Sequence, residues 1–212
     1  MKKHTVVAEL NDRAKQELYD MIDKLEEYAK ALTQDKQMNA FWVHENDPFH
    51  YTAGDGNTFS QHVVEDKTWD KIENEIDGLR EFIEKFDLTN GVVVVGSNAI
   101  PAHKHNGGPS AKWSLTAMKN ACDGTVKFYY EKPDRVYDPD AFIFDTDNEL
   151  IFAEEDRTTK NGIYSFNTDI YHSWHPDSYE TRHELVYVFY LKNTVTIDDV
   201  RQAIDNINKR YS

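Results

Sequence analysis

The chain is poor in cysteine. Cys122 is the single cysteine among 212 residues, so no disulfide forms within it and stability must come from an apolar core. A lone cysteine fits a reducing compartment, and the sequence is read as that of a cytoplasmic protein. Positive charge is scarce too: 24 Lys and Arg stand against 38 Asp and Glu, a formal net charge of -14. Such a surface repels nucleic-acid phosphates and anionic lipid, so neither is expected as a partner. No apolar run reaches the roughly 18 residues that span a bilayer. The opening MKKHTVVAELNDRAK turns charged too soon to read as a secretory signal. No internal repeat, low-complexity tract, Gly-rich phosphate loop or G-x-S-x-G elbow is present.

Aromatic surface, in contrast, is abundant. Twelve Tyr, eleven Phe and four Trp offset a hydrophobic share of only 39% and argue for a folded chain rather than a disordered one. The length suits one domain with a sizeable core. Residues 1–90 read as a mostly helical N-terminal part. Leu10, Ala14, Leu18, Met21, Ile22, Leu25, Ala29 and Leu32 fall three or four apart, which predicts an amphipathic helix capped by Asn11 or Asp12. The stretch 33–66 reads as irregular, with turn signals at Asp47-Pro48 and Gly54–Asn57. A second helix is predicted over Thr68–Phe86, with Thr68 as its cap.

After Asn90-Gly91 the period changes. Gly91–Gly96 is short and β-branched, as a buried strand would be. Trp113–Met118, Thr125–Tyr130, Ala141–Phe144, Leu150–Ala153, Ile163–Phe166 and Leu185–Leu191 are further strand candidates, separated by turn residues. About seven short strands predict a jelly-roll core over 91–192, a mainly β fold with helices packed outside. Thr196 caps a closing helix over 196–211.

Two segments carry chemistry. In Ala99-Ile-Pro-Ala-His103-Lys-His105 the histidines are two apart, which in a strand places both imidazoles on one face. Imidazole suits iron, zinc, copper and nickel. In Gly162–His175 a strand ends near Phe166 and a short loop delivers His172. Arg182 follows ten residues later, and an arginine at the mouth of a β core needs an anion. Its planar fork suits a carboxylate held bidentately.

The order I-P-x-H-x-(H), then F-N-T-x-x-x-H, then arginine ten residues on, resembles the Fe(II)/2-oxoglutarate-dependent oxygenases, and within them the aspartyl/asparaginyl β-hydroxylase-like group. The resemblance covers roughly Gly91 to Leu191. It implies a double-stranded β-helix, His103 and His172 as iron ligands, and Arg182 on the distal carboxylate of 2-oxoglutarate. It also implies oxygen chemistry that removes hydrogen from a small-molecule or protein side-chain substrate. Ser114 and Thr116 are candidates to assist Arg182. The family pattern has H-x-D where this chain has His105, so position 105 is a third histidine ligand or none.

Two other readings stay open. A cupin that binds metal without 2-oxoglutarate shares the β-helix and the H-x-H. It normally carries a glutamate soon after that motif, and Asn106–Lys112 has none. A non-enzymatic β module is the other. His175 is set aside as a ligand because Arg182 would then follow too soon. His44, His50, His62 and His183 read as solvated. Cys122 has no paired base in sequence, which argues against a catalytic thiol.

Overall fold

The computed structural model describes residues 2–33, 49–52, 58–64, 73–96, 100–105, 112–119, 121–135, 149–178 and 184–212. The helical periods emerge first. Helix α1 spans Asp12–Thr33, and Asn11 caps it, its side-chain oxygen accepting from the Ala14 amide at 2.9 Å. Helix α2 is shorter than expected, Leu79–Phe86. Gly78 stands before it at φ 80°, a left-handed conformation that glycine adopts freely and that ends helical continuity. Residues 73–78 form turns instead, while Ile76 still reaches the core. The predicted cap Thr68 lies outside the described residues. Helix α3, Ile197–Arg210, begins with the expected Thr196, in a reciprocal capping box with Asp199.

The strands, in chain order, are β1 Thr5–Val7, β2 Phe49–Thr52, β3 Thr58–Val64, β4 Leu88–Gly96, β5 Ile100–His103 and β6 Trp113–Lys119. They continue with β7 Gly124–Glu131, β8 Leu150–Thr158, β9 Ile163–Asn167, β10 Tyr171–Pro176 and β11 Glu184–Leu191. Strand β4 pairs with β11, β5 with β10, β6 with β9 and β7 with β8, all antiparallel. The chain thus runs as one long paired ribbon that reverses at the β7–β8 hairpin and rolls into two facing sheets, the topology of a jelly roll, or double-stranded β-helix. One sheet has the order β5-β10-β7-β8; the other, β1-β9-β6-β11-β4-β3-β2. The expected strand Ala141–Phe144 lies outside the described residues.

Two expectations for the N-terminal part need correction. It contributes three strands, and β2 and β3 lie within the stretch read as irregular. Phe-His-Tyr-Thr and Thr-Phe-Ser-Gln-His-Val-Val are rich in aromatic and β-branched residues, and the two segments pair antiparallel. The polar residues interleaved there hide the strands from a search for apolar runs.

In the large sheet Trp113–Met118 of β6 and the described side chains of β11 are buried on both faces, and alternation sorts them. From β6, Trp113, Leu115 and Ala117 join the core beneath the helices, as do Tyr187, Phe189 and Leu191 from β11. Leu18, Ile22 and Leu25 of α1 meet them there with almost no exposure. Each such side chain contributes about 1.5–3 kcal/mol by leaving water. Met118, Val188 and Tyr190 point the other way, to the space between the sheets, where Val126, Phe128 and Trp174 of the small sheet face them. Among the described residues, no helix is long and apolar enough to cross a membrane.

Candidate metal centre

Residues that alternate along a strand share a face, and residues paired across strands share it too. In the β5–β10 ladder His172 stands opposite His103. On its other side His172 pairs with Phe128 of β7, so it sits on a central strand with its ring turned inward. Strand β10 is itself a correction, since a loop was expected to deliver His172. The run Tyr-His-Ser-Trp-His-Pro has little of the β-branched signature that marks a strand in sequence. Its alternation is plain only once Tyr171 and Ser173 face outward and His172 and Trp174 inward.

His105 reaches the same point by a route the two-residue spacing does not describe. Strand β5 ends at His103. Beyond it the His105 amide donates to the Thr168 carbonyl at 3.0 Å, which folds the segment over the β9–β10 turn. The ring centroids then lie 5.0 Å apart for His103–His105, 4.5 Å for His103–His172 and 5.0 Å for His105–His172. The Nε2 atoms of His103 and His105 are 3.1 Å apart. The three candidate donor atoms lie within 4.8 Å of one another.

These residues fit a metal. Two nitrogens sharing an ion at about 2.1 Å, with about 95–110° between them, stand about 3.1–3.4 Å apart. All three imidazoles are buried, His105 with 9% of its surface exposed. Burial pushes His172 down to about 4, opposed in part by the Ile170 carbonyl. Burial, and then His172 and His103, hold His105 well below the usual histidine range. Near pH 7 both are therefore neutral, with ring lone pairs free to donate. The Nδ1–H of His172 donates to the Ile170 carbonyl at 2.8 Å, which leaves its Nε2 bare. Nδ1 of His105 meets the Tyr190 hydroxyl. Partners of this kind orient metal-binding histidines and set their tautomers.

The depressed His172 value links protonation to folding. Between pH 6.5 and 4 the unfolded chain binds the proton and the folded one does not, so stability present above pH 6.5 falls as pH drops toward 4. The loss from this group is up to about 3 kcal/mol, and His105 adds to it in the same direction. Urea midpoints with chelator present should fall between pH 7 and pH 4.5, and His172→Phe should flatten that slope. An equal slope in the variant would contradict the burial argument.

The histidines line a cavity between the sheets, with about 40 Å³ of it open to the centre of a water molecule. Ser114 and Thr116 also line it; they are almost wholly buried, with their hydroxyls 3.0 Å apart. Met118, Val126, Phe166, Trp174 and Val188 supply its apolar wall. Arg182 lies outside the described residues, as do His183 and His44. His175 faces the outer side of the small sheet, where its Nε2 meets Ser173 Oγ at 2.8 Å. Reading the sequence missed Thr168, whose carbonyl draws His105 in, and Tyr190. The signal for Tyr190 was its place on the inward parity of β11.

Fold and site together define a jelly-roll, cupin-like protein whose three-histidine cluster could hold a metal ion. No family model matches the chain, and no curated protein matches it. Among solved structures it is similar to the epimerase SnoN in complex with Fe3+, alpha ketoglutarate and nogalamycin RO, at 15% identity over 89% of this chain and 79% of that one, TM-score 0.46. It is similar to E. coli ycfD at 8% identity over 80% of this chain, TM-score 0.38. The oxalate decarboxylase of Lactobacillus farciminis, as a formate complex, gives 8% identity over 80% of this chain, TM-score 0.39. The chain spans 40% and 41% of the lengths of the latter two. The fold assignment rests on the strand pairing above.

Proposed function

We propose that the chain is a non-haem Fe(II)- and 2-oxoglutarate-dependent oxygenase of the hydroxylase type, acting on a small molecule or a protein side chain. The observation that carries this reading is the convergence of His103, His105 and His172, donor atoms within 4.8 Å of one another, on the inside of a double-stranded β-helix. The family resemblance in the same segments supports it. Bound there, iron with 2-oxoglutarate would supply the activation of oxygen.

The chain's own part is to hold and to shield. His103 and His172 are fixed by paired neighbouring strands, and His105 by the hydrogen bond from its backbone N–H to the Thr168 carbonyl. Ser114 and Thr116 offer hydroxyls to an anionic co-ligand beside the apolar wall of the cavity. Low polarity there strengthens any charged contact relative to water. Arg182, ten residues after His172 in the sequence, would take the distal carboxylate.

The second reading is a metal-binding cupin that does not use 2-oxoglutarate. It is favoured by His105, a neutral donor where the resembled pattern has a carboxylate. Metal analysis of anaerobically purified protein, followed by calorimetric titration of 2-oxoglutarate, separates the readings. About one iron per chain with 2-oxoglutarate bound is expected. Metal without 2-oxoglutarate would move the conclusion to the second reading. Neither would leave a non-enzymatic β module.

A further inference from the structure

Tyr190 is buried, with 4% of its surface exposed, on the inner face of β11. Its ring lies 5.7 Å from that of His105, edge to face, and its hydroxyl touches His105 Nδ1. A buried O–H needs an acceptor, and the contact at hand is His105 Nδ1. If the hydroxyl donates there, His105 carries its proton on Nε2, which then donates to His103 Nε2 at 3.1 Å. With that tautomer the chain of bonds would run in one direction, Tyr190 to His105 to His103.

That direction has a consequence for coordination. A metal ligand must present a bare nitrogen, so His105 can use Nε2 only if its proton resides on Nδ1. A carbonyl or carboxylate beside Nδ1 would accept only. A hydroxyl both donates and accepts, so it can stay bonded to either tautomer. Resting on the metal-centre reading above, we propose that Tyr190 is the positioning residue of the centre. Its hydroxyl donates to Nδ1 of His105 in the metal-free protein and accepts from it when Nε2 coordinates, its own proton then turning to a water or anion that enters the cavity with the metal, which lets a histidine serve at position 105.

Two measurements on the full chain test this. First, Co(II) is titrated into wild type, Tyr190→Phe, His105→Ala and the double variant, with circular dichroism as a check on folding. Tyr190→Phe, which keeps the ring, should bind Co(II) about 10–100-fold more weakly and shift the visible Co(II) bands. In the His105→Ala background the same change should cost nothing further, since Tyr190 acts through His105; a merely structural role would weaken binding in both backgrounds. Second, nitrogen NMR of wild-type protein should find the His105 proton on Nε2 without metal and on Nδ1 with Zn(II). Wild-type protein that binds neither ion overturns the metal-centre reading and this inference with it. Wild-type binding with equal affinity and bands in Tyr190→Phe, or a His105 tautomer unchanged by Zn(II), overturns this inference alone.

Discussion

Alanine in place of His172 should weaken Co(II) or Zn(II) binding by about 10²–10³-fold. A four-ligand zinc site is worth roughly 10–16 kcal/mol, so one ligand's share is about 2.5–4 kcal/mol. His172 is the informative choice because strands flank it on both sides, His103 opposite on β5 and Phe128 opposite on β7. Its Nδ1 is committed to the Ile170 carbonyl, so its Nε2 has one direction to face. Loss of the ring should leave the sheet intact, since the strand pairing uses backbone groups. His175→Ala is the matched control. It lies three residues on, on the opposite face, bonded to Ser173, and should change affinity by less than about twofold. Isothermal titration against chelator-stripped protein reads both. Equal affinity in wild type and His172→Ala would remove the metal centre from β10.

The same three histidines show what a sequence can and cannot disclose. His103 and His172 stood out because each follows a strand-like run and because arginine trails the second. Their pairing across β5 and β10 needed no more than correct topology. His105 was singled out by its spacing, but the spacing argument assumed a strand through position 105, and β5 stops at His103. What carries His105 inward is a hydrogen bond to Thr168, 63 positions along the chain, and no local pattern encodes a bond of that range. Ser114 and Thr116 were legible through alternation in β6, since Trp113, Leu115 and Ala117 had to face a core. What alternation could not say was that the opposite face is enclosed too. The core strands richest in β-branched and apolar residues, β4, β6 and β11, were found. Those that mix polar and aromatic residues, β2, β3 and β10, were not, because they lack the continuous apolar run that marks a strand locally.

Lysine in place of Arg182 should weaken 2-oxoglutarate by about 1.5–3 kcal/mol, roughly 10–150-fold, while metal affinity stays nearly unchanged. The charge is retained, so the loss isolates geometry. A guanidinium offers two parallel N–H donors to a carboxylate, whereas an ammonium offers a compact point charge on a flexible stem. Charged hydrogen bonds are worth about 1.5–3 kcal/mol and neutral ones about 0.5–1.5 kcal/mol. Ser114→Ala should therefore cost less than Arg182→Lys, even though Ser114 lines the cavity directly. This ordering separates the two readings of the site. An oxygenase that holds 2-oxoglutarate through Arg182 shows the larger loss in the arginine variant and a smaller one at Ser114. A cupin that uses metal alone shows weak 2-oxoglutarate binding in all three proteins. The titration is done on wild type and both variants loaded with Zn(II), which does not turn over, at one ionic strength because salt screens charge pairs. Equal 2-oxoglutarate affinity in wild type and Arg182→Lys, with tight binding in both, would place the co-substrate's carboxylate on some other group and remove the arginine from the proposal.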